Sequence, residues 1–290
     1  MTAEFKFSAI DTVVNLQTPE ILKLRTSQPN FLLEKFGQEE KALQGWSVEE
    51  MLALMDEAAI DRAFLVACKV GQVGLPGSWH LPYKLVVNAI QSYPDRFYGL
   101  AGIDPTEGMN GVRELEHAVR QYGFIGAHGY PHWFELPPDH AKWYPFYAKC
   151  VELDVPIQLQ VGQSLVYNEK RPLRSVGRPI TLDSVACDFP ELKLIGIHVG
   201  IPWTDEMIAM AWKHKNVYII SDAHAPRYWP SSFVKYINSY GRHKVMFGTD
   251  FPVLGFHRMR REVEDLGLKE ESLQFFLRYN AIKIYGLNIN

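Results

Sequence analysis

The chain has 290 residues, is 47% hydrophobic and 22% charged, and carries a formal net charge of −3. That balance supplies a sizeable core and argues against nucleic acid as a partner, while no apolar run approaches the about 18 residues of a membrane span. Cys68, Cys150 and Cys187 are far apart and form no CxxC pair, which predicts reduced thiols in a cytoplasmic protein and neither a disulfide framework nor a cysteine zinc site.

From the N-terminus onward, short apolar runs alternate with amphipathic stretches. The first run, "FSAIDTVV" at 7–14, follows an N-terminus with no signal-peptide core. Next comes "SVEEMLALMDEAAI", a helix pattern in which Ser47 and Glu50 form a capping box. Further strand-like runs lie at 63–68, 97–103 and 124–128, with "GVRELEHAVRQY" showing helical spacing between the last two. Then follow 156–161, the helical "TLDSVACDFP", 193–198, the helical "TDEMIAMAWKH", 216–221 and 244–249. The Thr-Asp start and cationic end of "TDEMIAMAWKH" suit a capped helix and its dipole. Most strand-like runs are continuously apolar, as strands buried on both faces of a parallel sheet are.

Eight strand–helix units in one chain of this length predict a single (β/α)8 TIM barrel over residues 1–290. The competing doubly wound sheet lacks support, because no GxGxxG follows the first strand and no Walker sequence occurs. Two long connections, 15–46 and 162–180, interrupt the rhythm and are expected to be lids or interface elements.

Barrel chemistry sits at the C-terminal strand ends. Those positions hold Asp11 and Asn15, Lys69, Asp104, His128, Gln160, His198, Asp222 with His224, and Asp250. Asp250, in "GTDFP" after an apolar run, suits a metal ligand or general base, with a helix N-cap as the plainer reading. His198 and His128 are candidate ligands or oxyanion donors, or else core imidazoles with satisfied hydrogen bonds; His132 is a weaker candidate. Asp104 before Pro105 reads as a turn residue. Arg171, Arg174 and Arg178 could clamp a carboxylate by paired hydrogen bonds or form a solvated face. Trp133 and Phe134 could line a pocket.

The stretches "LKLIGIHVGIPWTDEMIAMAWKHKNVYI" (192–219), "KVMFGTDFPV" (244–253) and "RYNAIKIYGL" (278–287) resemble the amidohydrolase superfamily. The likeness is to its amidohydrolase-related branch, which includes aminocarboxymuconate-semialdehyde decarboxylase. "YPFYAKCVELDVPIQLQVG" (144–162) is similar to the segment leading into that family's fifth strand. The resemblance implies a distorted barrel of the metal-dependent-hydrolase type, with His198 as the strand-six histidine and Asp250 as the strand-eight aspartate. The chain departs from the family at strand one, where Asp-x-His-x-His is replaced by Asp11, Val13 and Asn15, and at strand five, where Gln160 stands for histidine. Neutral amides are weak zinc ligands, so a binuclear site is not expected. The expected substitute is a mononuclear site from His128, His198 and Asp250, with His224 or Asp222 as candidate further members, holding zinc, or else iron or manganese, or no metal at all.

The implied function is hydrolysis or decarboxylation of a small carboxylated, cyclic or unsaturated substrate. Asp250 would move the proton, and Asn15, Gln160, His224, Arg174 and Trp133 would contact substrate. A second reading is an auxiliary subunit paired with a metal-bearing paralogue. Either would work as a homo- or hetero-oligomer, away from membranes and nucleic acid.

Overall fold

The computed structural model describes residues 5–25, 35–38, 40–165 and 169–289. Eight strands form one sheet in chain order: β1 (Ala9–Val14), β2 (Ile60–Ala67), β3 (Phe97–Ile103), β4 (Gly126–Gly129), β5 (Ile157–Gln160), β6 (Leu194–Ile197), β7 (Val217–Ile220) and β8 (Val245–Met246). Each pairs in parallel with the next. The sheet curls until its edges meet. Thr12 N–H donates to Phe247 O at 3.1 Å, Asp250 N–H to Val13 O at 2.9 Å and Asn15 N–H to Phe251 O at 2.8 Å. The expected TIM barrel is therefore what forms, with helices in the connections between strands.

β1, β4 and β6 are buried along their whole lengths, because helices cover the outside and side chains fill the inside. The Ser47–Glu50 capping box is formed in both directions, at 3.1 and 2.8 Å, and starts the helix Val48–Glu57. The helix Met109–Tyr122 ends on Gly123 in the left-handed conformation that glycine adopts without penalty.

Three local expectations change. β8 was expected over 244–249 but pairs with β7 only over Val245–Met246. Beyond that, Phe247 N–H turns to Phe276 O and Thr249 N–H to the Asp11 carboxylate, so the chain leaves the ladder. Thr204 does not cap its helix: it lies inside Thr204–Lys213, buried, with no side-chain cap at Trp203. The connection after β2 carries a short antiparallel ladder, Lys69–Val70 with Trp79–His80, that no hydrophobic pattern announced. The long connection 15–46 lies partly outside the described residues; within it, short helices form at Pro19–Leu22 and Lys41–Gln44. Among the described residues, no helix is long and apolar enough to cross a membrane.

Candidate active site

β6, β7 and β8 each leave the barrel through residues with positive φ: His198 (68°) and Val199 (58°), Ala223 (63°), and Asp250 (57°). Left-handed backbone at non-glycine residues costs energy and clusters where a side chain must be aimed. Here the turns bring His198, Asp222 and Asp250 together. One ligand atom from each lies within 4.8 Å of the others. His198 Nε2 is 3.3 Å from Asp222 Oδ2 and 3.8 Å from Asp250 Oδ2.

Each carboxylate gives one oxygen to the protein and the other to this cluster. Asp222 Oδ1 accepts from His198 N–H at 2.6 Å, and Asp250 Oδ1 accepts from Asn15 Nδ2 at 2.7 Å. Asp222 Oδ2 and His198 Nε2 are buried and have no hydrogen-bond partner. Such orphans in a dry site are costly unless a cation or proton lies between them.

Burial, reinforced by the neighbouring Asp250 charge, pushes the Asp222 carboxyl well above the ordinary carboxylate range. Burial lifts Asp250 to about 7, against the pull of the Asn15 amide and the Arg25 charge. His198 is driven well below its usual value, first by burial and then by His224. The imidazole is thus neutral and able to bind a metal. The donor set, one imidazole and two carboxylates, fits a single divalent cation. On β1 and β5 the residues in place of the family histidines are Val13, which has no donor atom, and the neutral amides Asn15 and Gln160, weak ligands for zinc; the Asn15 Nδ2 donates to Asp250 and to Phe251 O.

Of the candidate members, the structure brings together His198, Asp250 and Asp222, and leaves His128 outside the group. His128 lies beside Gln158 in the register of β4 and β5, with Gln160 two residues nearer the mouth. Its Nδ1 pairs with Gln158 Oε1 at 2.8 Å, and the Gln158 amide donates to Thr12 O and Tyr285 Oη. Asp11 also proves internal. It accepts from Thr249 N–H at 3.0 Å and Thr249 Oγ1 at 2.6 Å, locking β1 to the end of β8.

Above the cluster lies a pocket open to solvent and lined by His132, Trp133, Gln160, His198, His224 and Asp250 among others. Gln160, His224 and Trp133 thus line this pocket. Arg174 does not. It is 83% exposed and paired with Glu135 at 2.7 Å. Arg171 holds Trp133 O and Ser78, and Arg178 pairs with Glu206, so both have protein partners. Lys69 is buried between Glu107 and Glu114, and Asp104 caps its own turn through Thr106.

The cation at the mouth is Arg25, which composition and spacing gave no reason to single out. Its guanidinium lies 5.0 Å from the centre of the Trp79 ring. Its Nε is buried with no hydrogen-bond partner. Its charge is felt by Asp250, Cys68 and Tyr130, residues at the ends of β8, β2 and β4.

Comparison with known proteins places this geometry. Among solved structures, the fold is similar to a TIM-barrel protein of uncharacterised function from Bordetella bronchiseptica, with a TM-score of 0.78 at 22% identity over 97% of this chain and 100% of that one. It is also similar to 5-carboxyvanillate decarboxylase from Novosphingobium aromaticivorans in complex with manganese and a nitrobenzoic acid, with a TM-score of 0.73 at 18% identity over 99% and 98% of the chains. At such identities the likeness is one of fold. A curated relative, 2-keto-4-carboxy-3-hexenedioate hydratase from Sphingobium sp., is 33% identical over 159 residues, or 48% of this chain. The match spans 46% of the hydratase, less than half its length. The family model described as amidohydrolase matches residues 20–287, beginning just after the strand on which the expected histidines are replaced. With that match running from the loop after β1 to the last helix, the chain belongs to the amidohydrolase family.

Proposed function

We propose that the protein is an enzyme that adds water to, hydrolyses or decarboxylates a small unsaturated or aromatic carboxylate, with the substrate carboxylate bound by Arg25. The observation that carries this reading is the Arg25 guanidinium, buried against Trp79 without a hydrogen-bond partner at Nε and electrostatically coupled to Asp250. A desolvated guanidinium is stable beside an anion, and its planar fork matches a carboxylate. The names of the hydratase and decarboxylases that resemble the chain also denote carboxylated compounds.

His198, Asp222 and Asp250 would hold one divalent ion. Manganese suits so oxygen-rich a set and is bound in the similar decarboxylase; zinc accepts the same ligand types. Such an ion supplies Lewis-acid polarisation of a substrate or water oxygen. The chain's own residues do the rest. Arg25, held against Trp79, fixes the carboxylate, Trp133 walls the substrate from water, and Asp250 moves a proton at Oδ2 while Asn15 fixes Oδ1. A carboxyl group near 7 is matched to proton transfer at neutral pH.

The test is turnover of a panel of aromatic and unsaturated acids by the purified chain, with manganese or zinc, beside Arg25→Gln. We expect at least one acid to react and Arg25→Gln to lower kcat/KM about 100-fold, chiefly through KM, as loss of a charged contact does. Equal activity in the variant, or turnover of uncharged analogues alone, would sink the assignment. The replacement of the strand-one and strand-five histidines by Val13, Asn15 and Gln160 favours a second reading, an auxiliary subunit. That reading predicts turnover only when a metal-bearing paralogue is added back.

A further inference from the structure

His132 follows β4 in the short helix Pro131–Phe134 and is 2% exposed. Its Nδ1 faces two backbone donors, Val176 N–H at 3.1 Å and Gly177 N–H at 3.3 Å. A nitrogen that receives two N–H groups must carry its lone pair, so the proton of the neutral ring sits on Nε2. Protonating Nδ1 would set three N–H groups against one another, which bars the imidazolium. Burial acts in the same direction and lowers His132 to about 4, against the pull of the Arg174 backbone. The donor atom thus created, Nε2, is buried and without a partner, and the residue lines the pocket over the His198–Asp222–Asp250 cluster.

Gly177 explains why there is room. It is not among the glycines with positive φ, so its backbone does not require glycine. A Cβ there would fall 2.7 Å from His132 Cε1, 3.0 Å from His132 Nε2 and 2.7 Å from Gln160 O. What the glycine preserves is space along the Nε2 edge of the ring. The loop 162–180 therefore does two things at once: its peptide groups set the tautomer, and its missing side chain leaves the donor edge clear.

We infer that His132 is a tautomer-locked neutral imidazole whose Nε2–H donates to a substrate oxygen in this pocket, stabilising charge that develops there during the reaction. The inference rests on reading the pocket as a substrate site. A neutral imidazole suits this role because its proton is presented in place and is not given away. The arrangement also ties the loop to the chemistry, since any shift of Val176 and Gly177 frees the ring to change tautomer.

Two substitutions separate the two ends of the ring. His132→Asn keeps an acceptor near Nδ1 for Val176 and Gly177 but removes the Nε2–H; His132→Gln puts an amide N–H near Nε2 and gives up the Nδ1 acceptor. The experiment is 15N NMR of histidine-labelled protein from pH 5.5 to 8, with benzoate as probe, followed by kcat/KM of both variants on the acid that the wild type turns over. We expect an Nε2–H tautomer throughout, an Nε2–H resonance that moves on adding benzoate, and a loss of about 100-fold in His132→Asn, as for removal of one oxyanion donor. His132→Gln is expected to stay within about tenfold of wild type on the same principle. An Nδ1–H tautomer, an imidazolium at pH 6, an unmoved resonance across the benzoate titration, or wild-type kcat/KM in a folded His132→Asn would each overturn the inference. Should no carboxylic acid be turned over by the wild type while the tautomer and the benzoate response are as stated, the proposed reaction fails and His132 keeps its role as a ligand donor.

Discussion

Asp250 and Asp11 are two acids of the same strand pair with different fates. Asp250 turns its Oδ2 toward His198 and the pocket, while Asp11 spends both oxygens on Thr249. Asp250→Asn should keep the fold, because asparagine accepts the φ of 57° at that position as readily as aspartate. It should also lower turnover about 1,000-fold or more, the scale of a lost acid–base group. Steady-state kinetics with a circular-dichroism melt checks both halves, and near-normal turnover in a folded variant would remove Asp250 from the mechanism. For Asp11 the consequence is a pH dependence of stability. Burial raises its pKa from 3.8 to about 7 despite the Thr249 and Val13 hydrogen bonds. The native state therefore keeps a proton that the unfolded state loses, and the stability this provides is present below about 4 and lost as pH rises toward 7. Each unit is about 1.4 kcal/mol, so the change is on the order of 4 kcal/mol. The difference in Tm between wild type and Asp11→Asn should move in the variant's favour by several degrees from pH 4 to 7.5; a constant difference would contradict the assignment.

At the level of elements, the barrel interior is fastened by one amide. Gln158 on β5 joins His128 on β4, the Thr12 carbonyl on β1 and Tyr285 of the helix Asn280–Tyr285. Gln158→Leu is nearly the same size but leaves three buried polar groups without partners, at about 1–3 kcal/mol each. We expect a loss of about 3 kcal/mol or more in urea-unfolding free energy, with little change in metal content if the ion sits on His198, Asp222 and Asp250. Loss of the metal with retained stability would instead make His128 a ligand. The β6, β7 and β8 exits behave differently. Their left-handed residues are held by local hydrogen bonds such as His224 N–H to Asp222 O at 2.8 Å and Val253 N–H to Asp250 O at 2.8 Å, so the aim of each ligand is set by its own turn.

Taken as a whole molecule, the barrel places its charge unevenly. Two buried acids, Asp11 within β1 and Asp222 after β7, and the partly buried Asp250 after β8 lie on neighbouring strands, with Arg25 the cation whose charge reaches Asp250. A divalent ion relieves that imbalance and, by binding only the native state, stabilises the fold by about 2.7 kcal/mol at a free concentration 100-fold above Kd. Inductively coupled plasma mass spectrometry of the purified chain should give about one divalent ion per chain, and chelation should lower Tm. Two ions per chain would mean a second site elsewhere, for which His80, Asp104 and Glu107 or Asp183, Cys187 and His214 also lie close enough together.

The sequence by itself determined the class of fold. Eight apolar runs spaced by amphipathic stretches require a parallel sheet covered on both faces, and their number together with the missing GxGxxG and Walker motifs favoured the closed barrel over the doubly wound sheet. It also marked His198, Asp222 and Asp250 as strand-end residues, since an ionisable group directly after a buried strand is visible without coordinates. What periodicity could not convey is which way each side chain turns. His128 and Gln160 look alike as strand-end polar groups, yet one is held inside the barrel by Gln158 and the other lines the pocket. Arg171, Arg174 and Arg178 read as a solvated face or a carboxylate clamp, and Arg174 pairs with Glu135 on the surface. Arg25, in a loop without pattern, reaches the mouth because Trp79 of the Lys69–His80 excursion gives it a ring to lie on. The tautomer of His132 depends on two peptide groups 44 and 45 residues away. Those pairings are decided by contacts between segments distant in the chain, and only tertiary structure brings such segments together.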